Sequence, residues 1–197
     1  MDTTLFAALL TFAFVASVTP GPNNLMLLAS GANFGMRRTL PHMAGVSLGH
    51  SFMVIIVGLG LAGIFAAYPD LRLALGLVAF AYMLWLAWKI AHAAAPEEGT
   101  AAGKPLSFFQ AAAFQWVNPK GWIMAITAQT AYAHDETAWA AILVGLGFLV
   151  VNMPAITLWA WLGQEMRRFL TSPTRLTVFN WTMAALLLLS LLPVLAI

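Results

Sequence analysis

The sequence predicts an all-α polytopic membrane protein: six transmembrane helices forming two inverted three-helix repeats, with helices one and four broken. Three observations point there. The chain is 61% hydrophobic and 8% charged, with a mean hydropathy of +0.85, whereas an ordinary soluble domain carries roughly 25% charged residues. Uncharged blocks recur at lengths that cross hydrocarbon. Two of those blocks carry a matching interruption, with Pro20 and Pro119 lying 99 residues apart.

The same composition removes several function classes. Nine Lys and Arg with seven Asp and Glu cannot clothe a soluble chain of 197 residues. The net charge is only +2 and the basic residues form no stripe, so nucleic acid is not an expected partner. The chain has no cysteine, which excludes disulfides, thiol nucleophiles and thiolate metal sites.

The first span is read over 4–30. Leu5 to Ser30 carries no charge, and the preceding Met1-Asp2-Thr3-Thr4 lacks the basic start of a cleaved secretory signal. Five further apolar blocks follow at 41–65, 71–91, 107–131, 138–162 and 178–196. They leave no length for a separate soluble domain. Each is continuously apolar, whereas barrel strands are about ten residues of alternating polarity, so the spans are helices.

Basic residues set the orientation. Arg37, Arg38, Lys89, Lys104, Arg167, Arg168 and Arg175 fall on one side of this layout, against Arg72 on the other. The positive-inside rule makes the first group cytoplasmic and places both termini outside. Asp2, Asp70, Asp135 and Glu136 gather on the outer side. Trp85, Trp88, Trp139 and Trp159 stand near span ends, where amphipathic rings anchor at the interface.

One linker, 93–106, is small, polar and Pro/Gly-bearing, and it separates repeat one (1–92) from repeat two (107–197) within a single transmembrane domain. Three spans per repeat is odd, so the copies must insert in opposite orientations. Val18-Thr19-Pro20-Gly21 answers Val117-Asn118-Pro119-Lys120-Gly121, and Gly45 and Gly63 answer Gly145 and Gly163.

Proline removes an amide donor and clashes with the preceding turn, so Pro20, Gly21 and Pro22 should open the first helix and Pro119 the fourth. Backbone groups freed at membrane depth survive only against protein or a watery cavity. Paired interruptions in corresponding spans point to a transporter's midplane site. Lys120 lies near the middle of span four, where a charge costs roughly 2.5–3.5 kcal/mol on insertion scales. The six spans contain no Asp or Glu. Lys120 therefore meets freed carbonyls, loses its proton, or faces a cavity that admits an anion such as a substrate carboxylate.

The candidate substrate-binding set is Thr19, Pro20, Gly21, Pro22, Asn23, Asn24, Gln115, Asn118, Pro119 and Lys120, with Ser17 alongside. These uncharged hydrogen-bonding groups suit a zwitterion better than a hard cation, which wants carboxylates. No metal or cofactor is expected. Trp116 and Trp122 flank the second break and either pack or contact a cation. His50 follows Gly45-x-x-x-Gly49, a spacing that permits close helix approach. It is either a proton-coupling candidate, with Lys120, or a hydrogen-bonded structural histidine. Asn152 with Pro154 is expected to interrupt span five, and either lines the pathway or merely kinks the helix. His42, His92 and His134 are expected at loops and without a role.

Thr19-Pro20-Gly21-Pro22-Asn23-Asn24, Asn118-Pro119-Lys120, Gly35-Met36-Arg37-Arg38 and Tyr82-Met83-Leu84-Trp85-Leu86-Ala87-Trp88-Lys89 resemble the lysine-exporter (LysE/RhtB) superfamily across essentially the whole chain. The resemblance implies a bacterial inner-membrane exporter of neutral amino acids or small derivatives, driven by protons. It is similar in detail to the cysteine and O-acetylserine branch, with threonine- or homoserine-like substrates as the neighbouring possibility. Two departures stand out: some members have an acidic residue near Asn152, and some have Ser where this chain has Gly121. A homodimer is compatible with this reading. Two alternatives are a divalent-cation exporter, which lacks intramembrane acidic ligands here, and an integral-membrane enzyme, which lacks a nucleophile–base pair.

Overall fold

A computed structural model describes residues 1–61, 67, 69–93, 103–133 and 137–190, and everything described is helix, turn or loop. Most of the linker, Gly63, His134, Asp135, Glu136 and the ends of spans two and six lie outside the described residues. The helices are α1 (Thr3–Val18), α2 (Pro22–Phe34), α3 (Met36–Ile56), α4 (Pro69–Ala91), α5 (Phe108–Gln115), α6 (Pro119–Tyr132), α7 (Ala138–Met166) and α8 (Pro173–Leu189). A π-helical turn, Val57–Leu61, continues α3.

Among the described residues, Met36–Leu61 and Ala138–Met166 are each long and apolar enough to cross a bilayer. The pair α1 and α2 is so as a bent unit, with 56° between its halves. Caps mark the starts: Asp2 accepts from the Leu5 amide, Ser107 forms a capping box with Gln110, and Ser172 accepts from Arg175. The expected breaks fall where the prolines stand. Span five differs from expectation: α7 runs unbroken through Pro154. Membrane helices tolerate a proline when neighbours re-satisfy the freed backbone, and Asn152 simply turns its side chain inward (6% exposed).

Glycines let the helices touch. A Cβ on Gly45 would fall 2.3 Å from the Phe108 oxygen, and one on Gly49 2.6 Å from the Ala112 Cα, so α3 lies directly on α5. Gly31 and Gly163 seat α2 on α7: a Cβ on either would meet a backbone oxygen, of Ala160 or Leu28 respectively, at 2.1 Å. Gly145 approaches α3, at Ile55 and the Ser51 oxygen, while its sequence counterpart Gly45 approaches α5. The matched glycines thus make different contacts. The core is largely Met, Leu, Ala and Val with Phe114 and Phe148 fully buried.

Candidate functional site

The first break is a true opening. Thr19 precedes proline and is extended (φ −64°, ψ 143°); Gly21 is extended as well (φ −179°, ψ 178°), and Pro22 occupies the first position of α2, where its missing amide costs nothing. The last carbonyls of α1 have no intrahelical partner, and side chains from elsewhere take them. Asn24 Nδ2 donates to the Ser17 and Thr19 oxygens at 2.8 and 2.7 Å. Trp159 Nε1 donates to the Val18 oxygen at 3.0 Å. Lys120 Nζ donates to the Thr19 oxygen (2.7 Å), Thr19 Oγ1 (2.9 Å) and the Pro20 oxygen (3.2 Å). An ammonium has three donors, so Lys120 is fully committed here. Of the three fates open to it, the structure adopts carbonyl capping.

The second break closes on itself. After α5 the amides of Trp116, Val117 and Asn118 each bond three residues back, to Ala113, Phe114 and Gln115, which tightens the helix end. Asn118 (φ −89°, ψ 106°) then starts α6 with Pro119 at its first position. Trp122 Nε1 donates to the Trp116 oxygen at 2.9 Å and the two rings pack edge to face, so these tryptophans brace the break.

The two breaks meet. Asn23 and Gln115 exchange amide bonds at 2.8 and 3.0 Å. Beside them lies a cavity lined by Ser17, Gly21, Asn23, Asn24, His50, Asn118, Lys120, Gly121 and Asn152, with Ala16 and Met124. Its volume is about 20 Å³, room for roughly one water. The site is shut.

Several lining groups are unspent. Ser17 Oγ, Asn118 Oδ1 and both ring nitrogens of His50 are buried without a hydrogen-bond partner. The His50 ring lies beside the Gly121 backbone but makes no bond of ordinary geometry to it, and it packs edge-on against Phe148. Neither α2 nor α6 has a side-chain cap at its N-terminus, so two positive helix ends face the cavity. The last turn of α1, at Ala16 and Ser17, lines it as well. An anionic group and a cationic group held a short distance apart both find complementary ground.

Of the expected residues, Ser17, Gly21, Asn23, Asn24, His50, Asn118, Lys120 and Asn152 line the cavity. Thr19 and Pro20 form its exposed rim, Gln115 stands behind Asn23, and Pro22 and Pro119 start the helices. Two expectations need correction. Trp159 is not an interfacial anchor: its ring is half-buried and its indole caps the first break. His42 is not in a loop: it lies within α3 and is 1% exposed, inside the apolar block that begins at residue 41. Ala16 and Met124 escaped the sequence reading, since nothing distinguishes them from other apolar positions. Among the described residues no cluster of His, Cys, Asp and Glu is arranged to hold a metal.

The LysE type translocator family model matches residues 14–192. The chain belongs to the LysE family. A curated relative from Klebsiella pneumoniae, the cysteine/O-acetylserine efflux protein, is 34% identical over 95% of each chain. Proteins of the same name from Escherichia coli K12 and Shigella sonnei are 33% identical over 85% of this chain and 87% of theirs. No solved structure matches. As a LysE family member with long apolar helices, the chain is a membrane protein.

Proposed function

We propose that this LysE family protein exports small neutral amino acids or their derivatives, of the cysteine and O-acetylserine class, across the bacterial inner membrane by alternating access. The observation that carries the reading is the convergence of two uncapped helix N-termini, one helix C-terminus and the unpaired Ser17, His50 and Asn118 on one small cavity. A substrate carboxylate suits the ends of α2 and α6. Its ammonium suits Ser17 Oγ, Asn118 Oδ1 and the carbonyl end of α1. Half-helices aimed at a midplane site are the physical signature of such transporters. Lys120 can join the carboxylate only by releasing one of its three oxygens. Substrate entry is therefore coupled to loosening the first break.

A cavity with room for one water has to expand to admit an amino acid, and that expansion is the access change. The same reading arranges six spans as two inverted triplets with both termini periplasmic. His50, next to Lys120 in the cavity wall, is the place for a coupling proton. Counterflow in proteoliposomes tests this directly. Labelled O-acetylserine should exchange against unlabelled O-acetylserine, faster with an imposed pH gradient. Exchange no better than in protein-free vesicles would end the reading. Light scattering on the detergent-solubilised protein reads whether it is a homodimer.

A further inference from the structure

The cavity just described is not the roomiest in the molecule. A chamber of about 250 Å³ lies between α2, α3, α4 and the segment Gly103–Leu106, on the side carrying most of the Lys and Arg. We propose that this chamber is a second binding site, which takes the carboxylate-bearing amino acid before it enters the central cavity; this rests on the export reading above.

Unmet bonding capacity marks it as a site. His42 lines the chamber, is 1% exposed, and neither of its ring nitrogens has a partner. A buried polar group left unpaired is costly and uncommon. The other buried polar side chains there are engaged: Ser30 Oγ with Thr39 Oγ1 at 2.9 Å, and Asn33 with Asn180 at 2.8 and 3.1 Å. His42 alone awaits a ligand.

Charge and size name the ligand's class. Among the described residues, Lys89 and Lys104 line the chamber and no Asp or Glu does, a lining that suits a ligand with an anionic group. The remaining walls, including Leu86 and Trp88, are largely apolar, the usual composition of a small-molecule site. The volume, just below the roughly 300–1,000 Å³ of drug-sized pockets, has room for one amino acid. The walls are also held in place. Arg38 donates to the Gly103 oxygen at 3.2 Å and covers the Phe34 ring, while Asn180 donates to the Ala93 oxygen at 2.7 Å. Met26, Ser30 and Asn33 continue from Asn23 at helical spacing along one stripe of α2. One turn therefore separates the chamber from the Asn23–Gln115 pair that borders the central cavity.

The test is the concentration dependence of O-acetylserine transport by the full chain in phosphatidylcholine vesicles. His42→Leu removes a buried unpaired polar group, so its melting temperature should hold or rise. Its half-saturating concentration should rise about tenfold with the maximal rate kept, as should that of Lys89→Gln with Lys104→Gln. Unchanged half-saturation in both, or a lowered melting temperature of His42→Leu with transport intact, overturns the proposal. An anionic lipid's phosphate offers the same charge as a carboxylate. A defect that appears only when phosphatidylglycerol is added assigns the chamber to lipid and overturns the amino-acid assignment. Lys120→Ala separates the two readings: normal transport by it sinks the central site, whereas a dead Lys120→Ala beside unaltered chamber variants sinks the chamber alone.

Discussion

The two helix breaks look alike in sequence and are held by opposite means. At the first, the carbonyls of Ser17, Val18, Thr19 and Pro20 receive donors from Asn24, Trp159 and Lys120, two of which belong to the other half of the chain. At the second, three consecutive amides fold back on the turn before. The first break depends on its surroundings and the second does not. Pro119 thus reshapes one helix end, while the first break is tied to the other half of the chain through Trp159 and Lys120.

Substitutions at that ammonium should have the largest effect. Lys120→Ala is expected to abolish efflux of O-acetylserine from preloaded cells while the protein still reaches the membrane, as read by efflux assay and immunoblot. Gly21→Ala comes next. Its backbone is extended, so alanine meets no conformational strain. The added Cβ would lie 2.7 Å from Lys120 Cδ and 3.1 Å from Nζ, displacing the flexible lysine from its oxygens. Transport should fall about tenfold in the same assay, the effect of roughly 1.4 kcal/mol.

A matched pair sharpens the contrast. Asn24→Ala strips two bonds from the first break and should lower stability by about 1–2 kcal/mol, given roughly 0.6 kcal/mol and at most about 1.7 for single bonds within membranes. Asn118→Ala removes a side chain whose oxygen has no partner, so the thermal unfolding curve should barely move while transport drops. If both variants shift stability equally, the distinction between the breaks is wrong. The smallest effect belongs to Trp159→Phe, which removes one bond to Val18 and should cost about 0.6 kcal/mol in the same melt.

Much of this arrangement was legible from residue types alone. Proline geometry locates both interruptions, and the cost of burying Lys120 requires that it find oxygens or a cavity. Which oxygens it finds is a tertiary fact, decided by where α1 and α6 cross. Trp159 reads as an anchor because it stands near a span end, yet its indole reaches a carbonyl 141 positions away. Pro154 reads as an interruption, but α7 continues through it. His42 reads as a loop residue beside the start of an apolar block, yet it is buried inside α3, which begins at Met36. The chamber around it joins three helices and a connecting segment, and no local pattern announces such a meeting.

The glycine contacts of α2 and α7 carry a mechanical consequence. Backbone rests on backbone at Gly31 and Gly163, so there is no layer of side chains to reshuffle if these helices slide. In the proposed export cycle α2 and α7 are therefore expected to move together, and α2 to carry Asn23 and Asn24 with it.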